Sequence, residues 1–168
     1  MLSGIATATV IAPGVAVTAA HAANLVPEQA VMGRSAVYDL LFFRTDRRAV
    51  PPIGTARLGT TVIAYGHGVH DAVREVRGPV RAVDAPMERD CAGCAPEYVL
   101  MYEAPGGEGF SGGPVYDRDT AQLLGITFGY KDGVDPAHPD WRLMYAYSMT
   151  RVFAELQKVQ AREAAGSP

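Results

Sequence analysis

The residues of this chain whose types and spacing could do chemistry are a serine set among glycines, a histidine behind small residues and an aspartate inside an apolar run. The serine is Ser111, in Gly106-Gly107-Glu108-Gly109-Phe110-Ser111-Gly112-Gly113-Pro114, and of the five serines in the chain it alone has this setting. Glycine permits positive φ and close backbone approach, so this segment can fold tightly around a substrate carbonyl. The amides of Gly109 and Ser111 would then point at one place, where an oxyanion would form. By itself such a segment reads as a Gly-rich turn between two strands. His21 closes Thr18-Ala19-Ala20-His21. A lone histidine beside an apolar strand is more often structural, but the small residues before it leave room for an imidazole to be placed rather than packed. Asp39 stands in Val37-Tyr38-Asp39-Leu40-Leu41-Phe42-Phe43. A carboxylate there is costly unless paired or hydrogen-bonded, or unless it caps a strand end. Asp46, among Arg44, Arg47 and Arg48, reads as solvated.

The elements that must position these residues read as short strands. Gly4–Ala12 and Val15–Ala19 flank the turn signal Pro13-Gly14 and predict a hairpin. A loop over Asn24–Arg34 leads to a strand over Ser35–Arg44, and Ala49–Ile53, with Pro51-Pro52, reads as a linker. Strands are expected at Thr60–Tyr65, Val73–Val83, Tyr98–Glu103, Pro114–Asp117, Leu123–Tyr130 and Arg142–Met149. Short strands without intervening helices imply an all-β sandwich or barrel. Only the end differs, where Val152, Leu156 and Val159 repeat at helical spacing after Thr150 as cap.

Composition bounds the partners. A net charge of −3 with no basic run argues against nucleic acid. No run of about 18 apolar residues exists to span a membrane. Met1–Ala22 is apolar, but no Lys or Arg precedes Arg34 and Pro13-Gly14 interrupts it, so it reads as strand–turn–strand rather than as a signal peptide. Cys91-Ala92-Gly93-Cys94 and the His67/His70 pair could together make a four-ligand zinc site. One CxxC is a weak signal and the histidines lie more than twenty residues away, so no metal or cofactor is expected. A disulfide and a loop thiol pair both stay open for the cysteines.

The order His21, Asp39, Ser111 differs from the Asp-His-Ser of subtilisins and the Ser-Asp-His of α/β-hydrolases. With its local motifs, the chain resembles trypsin-like serine peptidases, most closely the compact bacterial kind that includes the HtrA-type proteases. Thr18–His21 is similar to the family's T-A-A-H, Asp39-Leu40-Leu41 to its D-[IL]-[AL] strand, and Gly109–Pro114 to its G-[DN]-S-G-G-P. Leu124–Gly129 is similar to its V-G-I-x-S-x-G strand, which pairs with the substrate backbone. The resemblance covers roughly residues 4–157. It implies a chymotrypsin-like fold of two packed six-stranded-type β-barrels: a reduced N-terminal barrel (1–52) carrying His and Asp, a C-terminal barrel (53–149) carrying Ser and the oxyanion loop, and a C-terminal helix (150–163).

It further implies a serine endopeptidase acting on polypeptide substrates. Ser111 is the implied nucleophile, His21 the base and Asp39 the residue that holds the imidazole, with the oxyanion hole from the amides of Gly109 and Ser111. The implied substrate pocket has Pro105 and Gly106 at its base and Thr127, Phe128 and Gly129 as a wall, with further wall near Met144–Tyr147. Neither base residue carries a charge, so basic P1 side chains are not expected. Phe110 stands where the family has Asp or Asn, which implies no trypsin-type zymogen switch. Only eighteen residues separate His21 from Asp39, so at least one hairpin of the first barrel is expected to be missing or very short. The competing reading is a catalytically inactive relative acting as a binding module. The resemblance leans to a periplasmic or secreted location, and nothing in the sequence indicates an oligomeric state.

Overall fold

The computed structural model describes residues 5–68, 72–133 and 135–166. Among these residues, ten strands and one α-helix follow in order: β1 (Thr9–Ala12), β2 (Val15–Thr18), β3 (Val31–Arg34), β4 (Leu41–Arg44), β5 (Thr61–His67), β6 (Val73–Met87), β7 (Glu97–Ala104), β8 (Pro114–Asp117), β9 (Leu123–Asp132), β10 (Arg142–Ser148) and α1 (Met149–Ala164). The second half closes into a six-stranded antiparallel barrel, β10-β7-β6-β5-β8-β9. The first half is a four-stranded sheet in the order β1-β2-β4-β3, so the expected reduction of the first barrel goes as far as an open sheet. The mostly β, chymotrypsin-like architecture expected from the sequence is what the chain adopts.

Alternation along the strands builds two cores. Val62, Ala64, Val80, Leu100, Tyr102, Phe110, Val115, Leu124, Met144 and Ala146 fill the barrel interior. A second core lies outside the barrel, where Val17, Leu40 and Phe42 of the first half meet Ile126 and Tyr147 and Val152, Leu156 and Val159 of α1. Successive side chains of a strand face opposite sides. In β10, Met144 and Ala146 therefore go to the barrel interior while Tyr145 and Tyr147 go to the shared core. The register of β6 shifts at Val80/Ala82 and Ala82/Ala85, and such bulges bend a long strand around a barrel.

Three local expectations are corrected. The segment Val31–Arg34 is an edge strand rather than loop. Its Gly33 hides the pattern, and that glycine leaves the space into which Val159 of α1 packs, 3.0 Å from where a Cβ would stand. The strand expected over Ser35–Arg44 begins only at Leu41. Ser35 Oγ accepts the amides of Val37 (3.1 Å) and Tyr38 (2.9 Å), a local turn that competes with strand pairing. The helix is capped by Ser148, whose side chain accepts the Arg151 amide at 3.4 Å, and not by Thr150, which lies within it. Cys91 and Cys94 form a disulfide in the β6–β7 loop. Among the described residues no three His, Cys, Asp or Glu side chains converge on a metal-sized space, and His70 lies outside those residues. No described helix is long and apolar enough to cross a membrane.

Candidate active site

The serine loop is two consecutive β-turns sharing Phe110. The Phe110 amide donates to Gly107 O (3.3 Å) and the Gly113 amide to Phe110 O (2.8 Å). The third residue of each turn is a glycine with positive φ, Gly109 at +88° and Gly112 at +85°. Glu108 and Ser111, the second residues, are absent from the positive-φ positions, so both turns are type II, which demands glycine at the third place. This is the physical meaning of Gly at both sides of the Phe-Ser pair. Among the described residues, the Gly109 and Ser111 amides donate to no other backbone carbonyl.

Threonines strap this loop to the first sheet. Thr7 donates its amide to Ser111 O (2.8 Å) and its hydroxyl to Gly109 O (2.7 Å), while Thr9 Oγ1 donates to Gly112 O (2.8 Å). Thr18 Oγ1 in turn donates to Thr7 O (2.8 Å). On the barrel side, His67 N donates to Gly109 O (2.9 Å), Gly112 N to Thr127 O (2.7 Å) and Thr127 N to Gly113 O (2.9 Å). Phe110 is buried under the loop, its ring against Gly66, where an added Cβ would stand 2.6 Å away. Phe110 is thus held by apolar packing at the position before the serine, where the sequence reading noted Asp or Asn in the resembled family.

His21 lies in a 3-10 helix, Ala20–Leu25, entered directly from β2. Asp39 lies in the bend before β4, not inside a strand. Its carboxylate takes both polar groups of the histidine: Oδ1 accepts the His21 amide (2.9 Å) and Oδ2 pairs with Nδ1 (2.5 Å). The neighbouring Ala20 amide donates to Asp39 O (3.2 Å). With Nδ1 engaged by the carboxylate, Nε2 is the ring atom left for a substrate or a nucleophile. Ser111 Oγ donates to Phe128 O at 3.3 Å, so in this conformation the hydroxyl is turned toward β9.

The remaining expected residues divide. Gly106 is buried and packs on Met144, whose Cε would lie 2.7 Å from an added Cβ. Arg142 donates to Gly106 O (2.6 Å) and lies over the Tyr130 ring at 5.2 Å, and Arg74 donates to Pro105 O. Gly129 faces open space, and Phe128 is half-buried beside it. The Thr127 side chain instead turns into the barrel, where its hydroxyl pairs with Tyr102 OH (2.8 Å). Burial of that phenol pushes its pKa well up, the Thr127 hydrogen bond opposing weakly.

The sequence reading missed Thr7, Thr9, Met144's contact with Gly106, Arg142 and Glu97, and it placed Tyr147 only within the wall segment Met144–Tyr147, without its hydrogen bonds. Tyr147 OH accepts the Asp39 amide (3.0 Å). Glu97 is buried at the start of β7, and desolvation pushes its carboxyl above the ordinary 4.5 despite the Arg89 charge and the Tyr147 hydrogen bond that pull it down. A buried acid and a buried phenol on neighbouring strands were visible as residue types, but their partners are remote in sequence.

No protein-family model matches the sequence, and no curated protein matches it. Solved structures do. The Rv3671c protease in an inactive form superposes with a TM-score of 0.69 at 19% identity, covering 92% of this chain and 83% of that one. The MamO protease domain of Magnetospirillum magneticum gives 0.65 at 16% identity, covering 92% and 90%. The HtrA-type protease AlgW with a decapeptide gives 0.72 at 16% identity, covering 94% of this chain but 52% of AlgW. At these identities the likeness is one of fold, and the fold of this chain is that of the trypsin-like, HtrA-type serine protease domains.

Proposed function

We propose that the chain is a serine endopeptidase that hydrolyses peptide bonds through an acyl-enzyme. The observation that carries this reading is the His21–Asp39 pair, with both carboxylate oxygens engaged, in the segments that follow β2 and precede β4 of the sheet that the Thr7 and Thr9 bonds tie to the Ser111 loop. Ser111 Oγ attacks the scissile carbonyl after rotating away from Phe128 O, and His21 Nε2 takes its proton. The carbonyl oxygen becomes an oxyanion facing the Gly109 and Ser111 amides. His21 then returns the proton to the leaving amine, and water repeats the sequence to release the acid. The two amides, which have no backbone acceptor among the described residues, support the oxyanion assignment. AlgW was solved with a peptide, and a substrate strand beside β9 at Phe128–Gly129 would lie along the open face of this chain. A periplasmic or secreted setting suits this reading.

A binding module without turnover is the second reading. Its support is the Ser111 hydroxyl bonded to Phe128 O rather than to His21. A fluorophosphonate probe separates the two, because it labels an activated serine and not merely an exposed one. The expected result is labelling of the full chain, loss of labelling and of peptide turnover in Ser111→Ala and in His21→Ala, and an unchanged fold in both. Triad members act as a unit, so the two losses should be comparable. Turnover retained by Ser111→Ala on purified protein would refute the proposal.

A further inference from the structure

We propose that Tyr147 is a positioning residue for this site, holding Asp39 through its hydroxyl and the Ser111 side of the site through its ring. The inference rests on the peptidase reading for its kinetic consequence, but not for its geometry.

Tyr147 stands near the end of β10 and is wholly buried, yet carries a hydroxyl. A buried phenol is costly without partners, and a phenylalanine would pack the same ring. The hydroxyl has two partners. It accepts the Asp39 N–H at 3.0 Å and donates toward Glu97, whose Oε1 and Oε2 both lie at 3.4 Å. The acceptor carboxylate aims the phenolic proton at β7, which leaves an oxygen lone pair for Asp39.

The ring makes the other connections. It stacks on Phe128 with centroids 4.0 Å apart and planes 4° apart, and Tyr38 meets it edge-on at 4.9 Å. Phe128 supplies the carbonyl that holds Ser111 Oγ. One side chain from the barrel therefore touches the residue before Asp39, Asp39 itself and the Ser111 acceptor. Asp39 needs such a hold because it sits in a bend rather than a strand, and its two carboxylate oxygens are the contacts that fix the exposed imidazole of His21. The charged groups around this path are Arg89 and Asp39, which act on Glu97, and Arg151, whose Nη1 donates to Tyr38 OH at 3.2 Å.

The experiment uses the full chain with Tyr147→Phe, Glu97→Leu and Glu97→Gln, the last keeping an acceptor for the phenol. Two readouts are taken: the low-field proton signal of His21 Nδ1–H by NMR, and kcat and KM on a peptide. In Tyr147→Phe the signal should weaken or vanish by faster exchange, and kcat should fall about tenfold with KM within about twofold. Glu97→Leu should share the loss of signal, and Glu97→Gln should keep it. A merely structural role would lower thermal stability and leave the signal intact. An intact signal in both Tyr147→Phe and Glu97→Leu overturns the inference, whatever the activity. If the wild type neither labels nor turns over, the peptidase reading fails, while the NMR comparison still decides whether Tyr147 holds Asp39.

Discussion

Gly109→Ala is the perturbation that separates the oxyanion assignment from the rest of the site. The residue has φ +88° and is the third position of the 107–110 turn. Alanine in the left-handed region costs about 1–2 kcal/mol. An added Cβ would also run into the His67 carbonyl oxygen, which belongs to β5 and cannot move without disturbing the barrel. The turn can relieve both by passing from type II to type I, where the third residue has φ near −90°. That change rotates the Glu108–Gly109 peptide by roughly half a turn and replaces the Gly109 N–H with the Glu108 carbonyl. One oxyanion donor is then lost, which by mutational precedent is worth about 3 kcal/mol, or about 10²–10³ in kcat. KM should change little, because the proposed substrate contacts along β9 are untouched. The assay is kcat and KM on a fluorogenic peptide, with circular dichroism to show the fold retained. A folded Gly109→Ala protein with kcat within about threefold of wild type would refute the assignment of that amide.

Three further outcomes follow from the same geometry. On peptides differing only at P1, small or medium apolar residues should be preferred over Lys or Arg by about tenfold or more. With Pro105 and Gly106 as the proposed pocket base, their carbonyls are already taken by Arg74 and Arg142, and an unpaired buried cation costs several kcal/mol. A preference for Arg would point instead to Glu108, which is exposed on the loop. Burial raises the Glu97 carboxyl above its ordinary value, so the destabilisation it brings is absent below the ordinary value, grows as pH rises from there and is complete above the raised value. Glu97→Gln should therefore raise the Tm at neutral pH and leave it unchanged below about pH 4, and equal shifts at both would contradict the argument. Ser35→Ala should lower stability by about 1–3 kcal/mol in a denaturant titration, because Ser35 Oγ bonds Glu155 Oε2 at 2.6 Å while holding two amides of the Asp39 bend.

The serine loop was legible because its demands fall on the local chain: two type II turns need glycine at two fixed places, and the sequence carries Gly109 and Gly112 there. The His21–Asp39 pairing was legible as motif, not as geometry. Asp39 reads as a strand residue among Val37, Leu40 and Leu41, and it is Ser35 Oγ, bonding forward to two amides, with the Leu40 amide on Tyr38 O, that turns that stretch into a bend. The straps were illegible for a different reason. Thr7 and Thr9 look like ordinary strand threonines, and their acceptors lie over a hundred residues away at Gly109 and Gly112. Tyr147 reads as one of the two tyrosines of β10. Only the pleat, which sends Met144 and Ala146 into the barrel, shows that it must face Asp39.

The open first sheet raises the question of what replaces the missing strands, and the answer is α1. Its Val159 fits against Gly33 of β3, and Val152 and Leu156 enter the core shared with Val17, Leu40 and Phe42. Polar bonds finish the edge: Arg162 Nη2 donates to Arg34 O (2.6 Å), Arg44 pairs with Glu163 (2.8 Å), and Glu155 takes Ser35. Glu155 is buried, which alone would raise its carboxyl, but Lys158 at 2.8 Å, the Ser35 hydroxyl and Arg162 together hold it below the ordinary range. Its charged form, which grips Ser35, is thereby favoured over the neutral one. A buried charge held in this way is a poor source of stability but a strong fixer of position. Here the position fixed is that of the bend carrying Asp39. The helix thus serves the candidate site from its far side, completing the half of the molecule that holds His21 and Asp39 rather than merely covering the barrel.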